Sequence, residues 1–231
     1  MSSDIKHILK QAQSETRNEN IAKIFKKNKK ILLIILGLAI ASSLAFTAYK
    51  INQRSQQEKY SEILHQSMID QQLGDIEKAK QNLKKIYDSA SAPSGVKSLA
   101  SLRYAGILLE ENKKNEAINV YSQVNQCRFC DNYIKELAGL LMVRTLMNDE
   151  DVTDKADLSE KILAIENNSK ILRYYIAEQR GYLEMTKNNL EKSYQIFEMI
   201  SKNPEVREDL KNRASDAMKI VIQKGYEPKK S

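Results

Sequence analysis

The sequence predicts an all-α protein: a single membrane-spanning helix near the N-terminus, then an α-solenoid of about four helical hairpins and a C-terminal capping helix. Three observations predict it. Nineteen uncharged residues run from Ile31 to Tyr49, flanked by Lys30 and Lys50. Helix breakers are scarce, with seven Gly and three Pro in 231 residues, and no Asn-Gly hairpin signal occurs. A turn-and-helix pattern returns along the chain at a spacing of 38 residues or its double.

The apolar run decides the domain organisation. At about 1.5 Å per residue it reaches roughly 28 Å as a helix, close to the hydrocarbon thickness of a bilayer. Residues 1–30 form a basic amphipathic leader, 31–50 a signal-anchor helix, and 51–231 a repeat domain beyond it. The leader holds eight Lys or Arg against three Asp or Glu. Basic residues near a span stay in the cytoplasm, so the domain is expected on the far side. Cleavage as a signal peptide is the alternative, because Ala39-Ile40-Ala41 has the small-residue spacing of a cleavage site. The length of the leader and the apolar residues beyond that site favour an anchor. Without a Cys near the span, lipid attachment is excluded there.

The net charge of +7 is mostly the leader's, since the remainder carries 29 basic and 27 acidic residues. So balanced a surface offers no basic patch for nucleic acid. The leader's cations suit anionic lipid head groups.

Past the span, Tyr60, Ile63, Leu64, Met68 and Leu73 keep helical spacing until Leu73-Gly74-Asp75 breaks it. A helix then carries Ile76, Ala79, Leu83 and Ile86, and a loop around Pro93 ends it. Two helices follow, one to about Glu111 and one from Asn115 to Asn125. Asp131 reads as the N-cap of a helix reaching Met147. After an acidic loop, Asn148 to Thr153, a shorter helix runs to about Glu166. Lys170–Thr186 and Leu190–Ser201 make a further pair. Asn203-Pro204 reads as cap and first turn of the last helix, which Gly225 stops.

Leu73-Gly74-Asp75-Ile76-Glu77-Lys78-Ala79 with Leu83 and Ile86, Asn115-Glu116-Ala117 with Tyr121 and Val124, and Asn189-Leu190-Glu191-Lys192-Ser193 with Phe197 and Ile200 each resemble the turn and second helix of a tetratricopeptide repeat. Small residues Ser67, Ala105 and Gly181 each precede Ala79, Ala117 and Ser193 by twelve, the spacing at which two antiparallel helices cross closely. The intervening repeat fits less well. Gly139 takes its first small position, and Ala156 follows after a five-residue insertion. Val206, Leu210, Ala214, Ala217 and Val221 form the stripe of the capping helix.

This order of parts resembles the YfgM-type ancillary subunit of the Sec translocon and its relatives. The matching features are the basic leader with Ile21-Ala22-Lys23-Ile24-Phe25-Lys26-Lys27, one span, a helix running straight out of it, and about four tetratricopeptide-like repeats. The resemblance implies a bacterial inner-membrane protein with a periplasmic repeat domain. It also implies an adaptor role that binds translocon subunits, periplasmic chaperones or exported clients.

Few residues suggest chemistry. The two His, His7 and His65, fall on opposite sides of the span, and no nucleophile elbow, phosphate loop or His-Glu-x-x-His pattern occurs, so neither catalysis nor a cofactor is expected. Carboxylates read as solvated helix faces. Cys127-Arg128-Phe129-Cys130 is a candidate disulfide. A redox-active envelope accessory built on it, or a structural scaffold of an envelope assembly, are the rival readings. Binding is better supported. In such arrays the first helices line a groove, here Leu99, Leu102 and Leu109, then Tyr133, Leu140 and Val143, then Tyr175, Tyr182 and Met185. Within the span, Gly37, Ala41 and Ala45 form a small-residue face suited to another helix.

Overall fold

The computed structural model describes residues 29–148 and 155–228. Helices and their turns account for them, with no strand among the described residues. The helices are α1 Lys29–Gln72, α2 Ile76–Asp88, α3 Ser94–Glu110, α4 Lys114–Asn125, α5 Asn132–Met147, α6 Lys155–Asn168, α7 Arg173–Thr186, α8 Leu190–Lys202 and α9 Glu208–Gln223. Most of the expected leader and of the acidic loop lies outside the described residues. The chain divides into two units between Ser55 and Gln56.

In the first unit, α1 is long and apolar enough to cross a membrane. Its large apolar side chains from Leu33 to Ile51 are exposed. The Thr47 hydroxyl donates to the Ser43 carbonyl at 2.9 Å, which satisfies it within the helix. A Cβ added at Gly37 would meet nothing within 4 Å.

In the second unit, from α2 onward successive helices pack on one another, closely except at α5 and α6, and α3, α5, α7 and α9 also touch in succession. Crossings are close where side chains are small. Ser67, Ala79, Ala105, Ala117 and Ser193 have no exposed surface. The Ser193 hydroxyl donates to the Gly181 carbonyl at 2.9 Å, and a Cβ on Gly181 would stand 2.7 Å from the buried Phe197 ring.

Three turns share one geometry. Gly74 (φ 82°), Asn112 (φ 60°) and Asn188 (φ 58°) adopt the left-handed conformation. Each amide reaches back three residues, to Gln71, Leu109 and Met185, and the next amide reaches back five, to Asp70, Leu108 and Glu184. This paired closure satisfies the last carbonyls of the first helix and reverses the chain in three residues. Glycine takes the conformation freely, and asparagine is the next best choice. Asp131 caps α5 as its position suggests, accepting from the amides of Tyr133 and Ile134.

Two expectations change. The last helix starts at Glu208 rather than beside Pro204. Asn203 instead closes a turn, its side chain accepting from the Glu205 amide at 2.8 Å and its carbonyl from the Val206 amide at 3.3 Å. That turn folds Val206 into the core below Leu210. The third hairpin also differs. Counted by the 38-residue period, the residue matching Ala105 and Gly181 is Val143, not Gly139. Val143 is fully buried against Leu158 and Ile162, and its larger side chain fills the crossing that elsewhere brings two backbones together. Among the described residues α6 packs mainly on α7 and only lightly on α5. Gly139 meets the end of α4 and the end of α6 instead, at Asn125 and Ile165.

Candidate functional site

The first helices α3, α5 and α7 present one surface away from their partner helices. Leu99, Leu137 and Tyr175 fall one period apart on it, and Arg213 of α9 continues the row. Leu99 is 44% exposed, while Leu102, Leu109, Tyr175, Tyr182 and Met185 are half-buried. Gly106 stands among them, and a Cβ there would meet nothing within 4 Å. Beside Leu109, Leu141 and Arg144 lies a cavity of about 200 Å³. Gly106 and Arg144 were not anticipated, although both match Tyr182 at whole periods.

Two expected members lie elsewhere. Leu140 and Val143 are buried with Leu158, Ile162, Leu172 and Ile176, so they support the face from below rather than line it. Val143, not Gly139, stands at the period position of Ala105 and Gly181, which turns this side of α5 inward. Tyr133 is 47% exposed, at the first turn of α5. Tyr182 packs edge-on to Phe197 with ring centroids 5.1 Å apart, and burial, helped by the charge of Glu178, pushes its hydroxyl pKa up. It is half-buried and packs on the core.

The face is closed at its C-terminal end by charge. Arg213 donates to both oxygens of Glu178, at 2.8 and 3.0 Å, and its guanidinium lies 5.9 Å from the Tyr175 ring. Among the described residues Glu178 is one of five buried carboxylates, with Asp70, Glu136, Glu166 and Glu184, where a solvated surface is expected. Each has partners. Glu136 accepts from the amides of Lys170, Ile171 and Leu172 at 2.7–3.0 Å, fastening α5 to the loop before α7. Asp70 accepts from Lys78 and Asn82, and three periods later Glu184 accepts from Asn189, with Lys192 alongside. The lysine follows its carboxylate by eight residues in both repeats, a signal present in the sequence. Burial raises the Glu184 pKa, but the Ser159 hydroxyl and the charges of Lys192 and Lys187 outweigh it and hold the carboxyl below its usual range.

Cys127 and Cys130 are joined in a disulfide in the loop between α4 and α5. The Ser94 hydroxyl donates to the Phe129 carbonyl at 3.0 Å, tying this loop to the start of α3, and the Phe129 ring is 80% exposed. A cavity of about 340 Å³ lies behind the disulfide, lined by Tyr87, Ala92 and Val124 among others.

Residues 64–151 match the family model of a tetratricopeptide repeat-like domain. The chain contains such a domain. The match begins in the second-unit part of α1, covers α2, α3, α4 and α5, and includes the turns at Gly74 and Asn112. No curated protein and no solved structure matches the chain.

Proposed function

We propose that this protein is a membrane-anchored module for binding other proteins, held by residues 31–50 with its N-terminus in the cytoplasm and its repeat domain in the periplasm of a bacterial envelope. The observation that carries the binding reading is the row of exposed and half-buried apolar side chains on α3, α5 and α7, around the open position at Gly106, in a domain of tetratricopeptide type. Such domains are protein-interaction scaffolds. The partners proposed are translocon subunits, periplasmic chaperones or exported clients, as the order of leader, span and repeats suggests. Gly37, Ala41 and Ala45 are the proposed contact for a second membrane helix.

The test is site-specific photocrosslinking in cells from Leu99, Gly106 and Tyr133, against Lys85 as an exposed control. Defined adducts from the three face positions and none from Lys85 are expected. Gly106→Met should abolish the Leu99 adduct while leaving the thermal midpoint equal or higher, because a helix interior gains about 0.8–1 kcal/mol when glycine is replaced by a good helix former. Adducts that persist in Gly106→Met place binding on another face.

A further inference from the structure

We propose that the cleft between the end of α4, the start of α5 and the end of α6 is a second binding site, for an acidic, extended segment of another polypeptide. The cleft has a volume of about 560 Å³ and is lined by Asn125, Asn132, Lys135, Glu136, Asn168 and Lys170 with their neighbours. None of the groove residues borders it. Its size lies within the roughly 300–1,000 Å³ typical of ligand sites.

The cleft follows from the irregular third hairpin. Gly139 lets Asn125 and Ile165 approach the α5 backbone from two sides, and a Cβ there would lie 2.9 Å from each. Both of those residues line the cleft.

Its chemistry selects the ligand. Carboxamides carry both donors and an acceptor, the complement of a peptide unit. Asn125 spends its Nδ2 on the Lys135 carbonyl and Asn168 its Nδ2 on the Ala164 carbonyl, both at 2.9 Å, which leaves each Oδ1 to accept from a main-chain N–H. The lining carries two ammonium groups, Lys135 and Lys170, against one carboxylate, Glu136. The Glu136 carboxylate is occupied by three backbone amides of the chain itself. Lys135 and Lys170 form no ion pair among the described residues, so two ammonium groups on flexible stems remain to meet carboxylates. No aromatic ring lines the cleft, so a sugar has no stacking platform. Ile171, next in the chain to the lining residue Lys170, is 54% exposed and offers an apolar ledge to a longer segment.

The test uses the full chain in detergent micelles and fluorescence anisotropy with a labelled octapeptide of alternating Glu and Ser. Its Gln-for-Glu counterpart should bind at least tenfold more weakly. Lys135→Gln with Lys170→Gln should weaken the Glu peptide at least tenfold, and the exposed Lys170→Gln alone at least threefold. Lys85→Gln with Lys224→Gln removes the same charge elsewhere and should change affinity less than twofold. Leu99→Ala should leave this binding unchanged, which separates the cleft from the groove. Equal binding of the Glu and Gln peptides, or equal loss in the control pair, overturns the proposal. So does binding of chitotetraose, in place of the peptide, that Lys170→Gln abolishes.

Discussion

The hairpin of α7 and α8 and the hairpin of α5 and α6 occupy equivalent places in the array, yet one closes and the other opens. In the first, Gly181 and Ser193 leave so little between the backbones that a serine hydroxyl reaches the opposite carbonyl. In the second, Val143 fills the crossing against Leu158 and Ile162, and α5 and α6 touch only lightly. The displaced helix is then held from its other side. Ser159 donates to Glu184, and Glu166 takes a bidentate bond from Arg180 at 2.6 and 3.0 Å, so α6 is bound to the following hairpin at both ends. The two hairpins thus differ in which neighbour the second helix joins: α8 packs on α7, while α6 packs mainly on the helix that follows it.

The largest effect should come from the bond that holds α6 to α7. Arg180→Leu leaves the Glu166 carboxylate buried without its partner and is expected to cost about 3–5 kcal/mol in chemical denaturation. Adding Glu166→Leu should recover much of that loss. If the single variant loses less than about 1 kcal/mol, α6 is held by apolar packing alone. Next, Gly181→Ala should destabilise by about 1–3 kcal/mol, because the new methyl meets the buried Phe197 ring. A stabilised variant would mean that the close crossing is not close.

Val143→Ala tests the other hairpin. If the valine alone holds α5 and α6 apart, its removal lets them close, and spin labels at Arg144 and Glu160 should move nearer to each other. The stability cost then stays at about 1 kcal/mol, since a site that collapses loses less than one that keeps a cavity. An unchanged label distance with a larger cost assigns the opening to the ties with α7.

The smallest effect concerns acid. Glu184 has a folded-state pKa below its usual range, so its contribution is present above the carboxylate range and is lost as the pH falls through the folded value. Melting temperature should therefore drop on acidification, and Glu184→Gln should flatten that slope. A variant with the same acid slope as the parent would assign the acid sensitivity to other carboxylates, Asp70 first among them.

The helices were legible because each carries its own signal: Gly74 and Gly225 as stops, Asp131 as a cap, and a stripe from Val206 to Val221 that is buried throughout. The phase of α5 was not. A glycine reads as a close-crossing residue, and nothing local distinguishes Gly139, which meets α4 and α6 end on, from Gly181, which meets its own hairpin partner. The start of α9 is not legible locally, because Asn203-Pro204 suits a turn as well as a helix, and the burial of Val206 decides between them. Buried carboxylates were missed because burial depends on partners up to 36 residues away, as with Glu136 and Leu172. The open position at Gly106 was equally silent, since only the assembled surface shows that nothing faces it.

The left-handed turns at Gly74, Asn112 and Asn188 stand at one phase, separated by one period and then two. That makes the array divisible. A cut after Gly74 and a cut after Asn112 expose chain ends in the same conformation, so splicing them removes one repeat and leaves a working reversal. Duplication between the same points adds one. Such an array can therefore change length in steps of one hairpin without a new turn, and a designer could extend its surface by the same arithmetic.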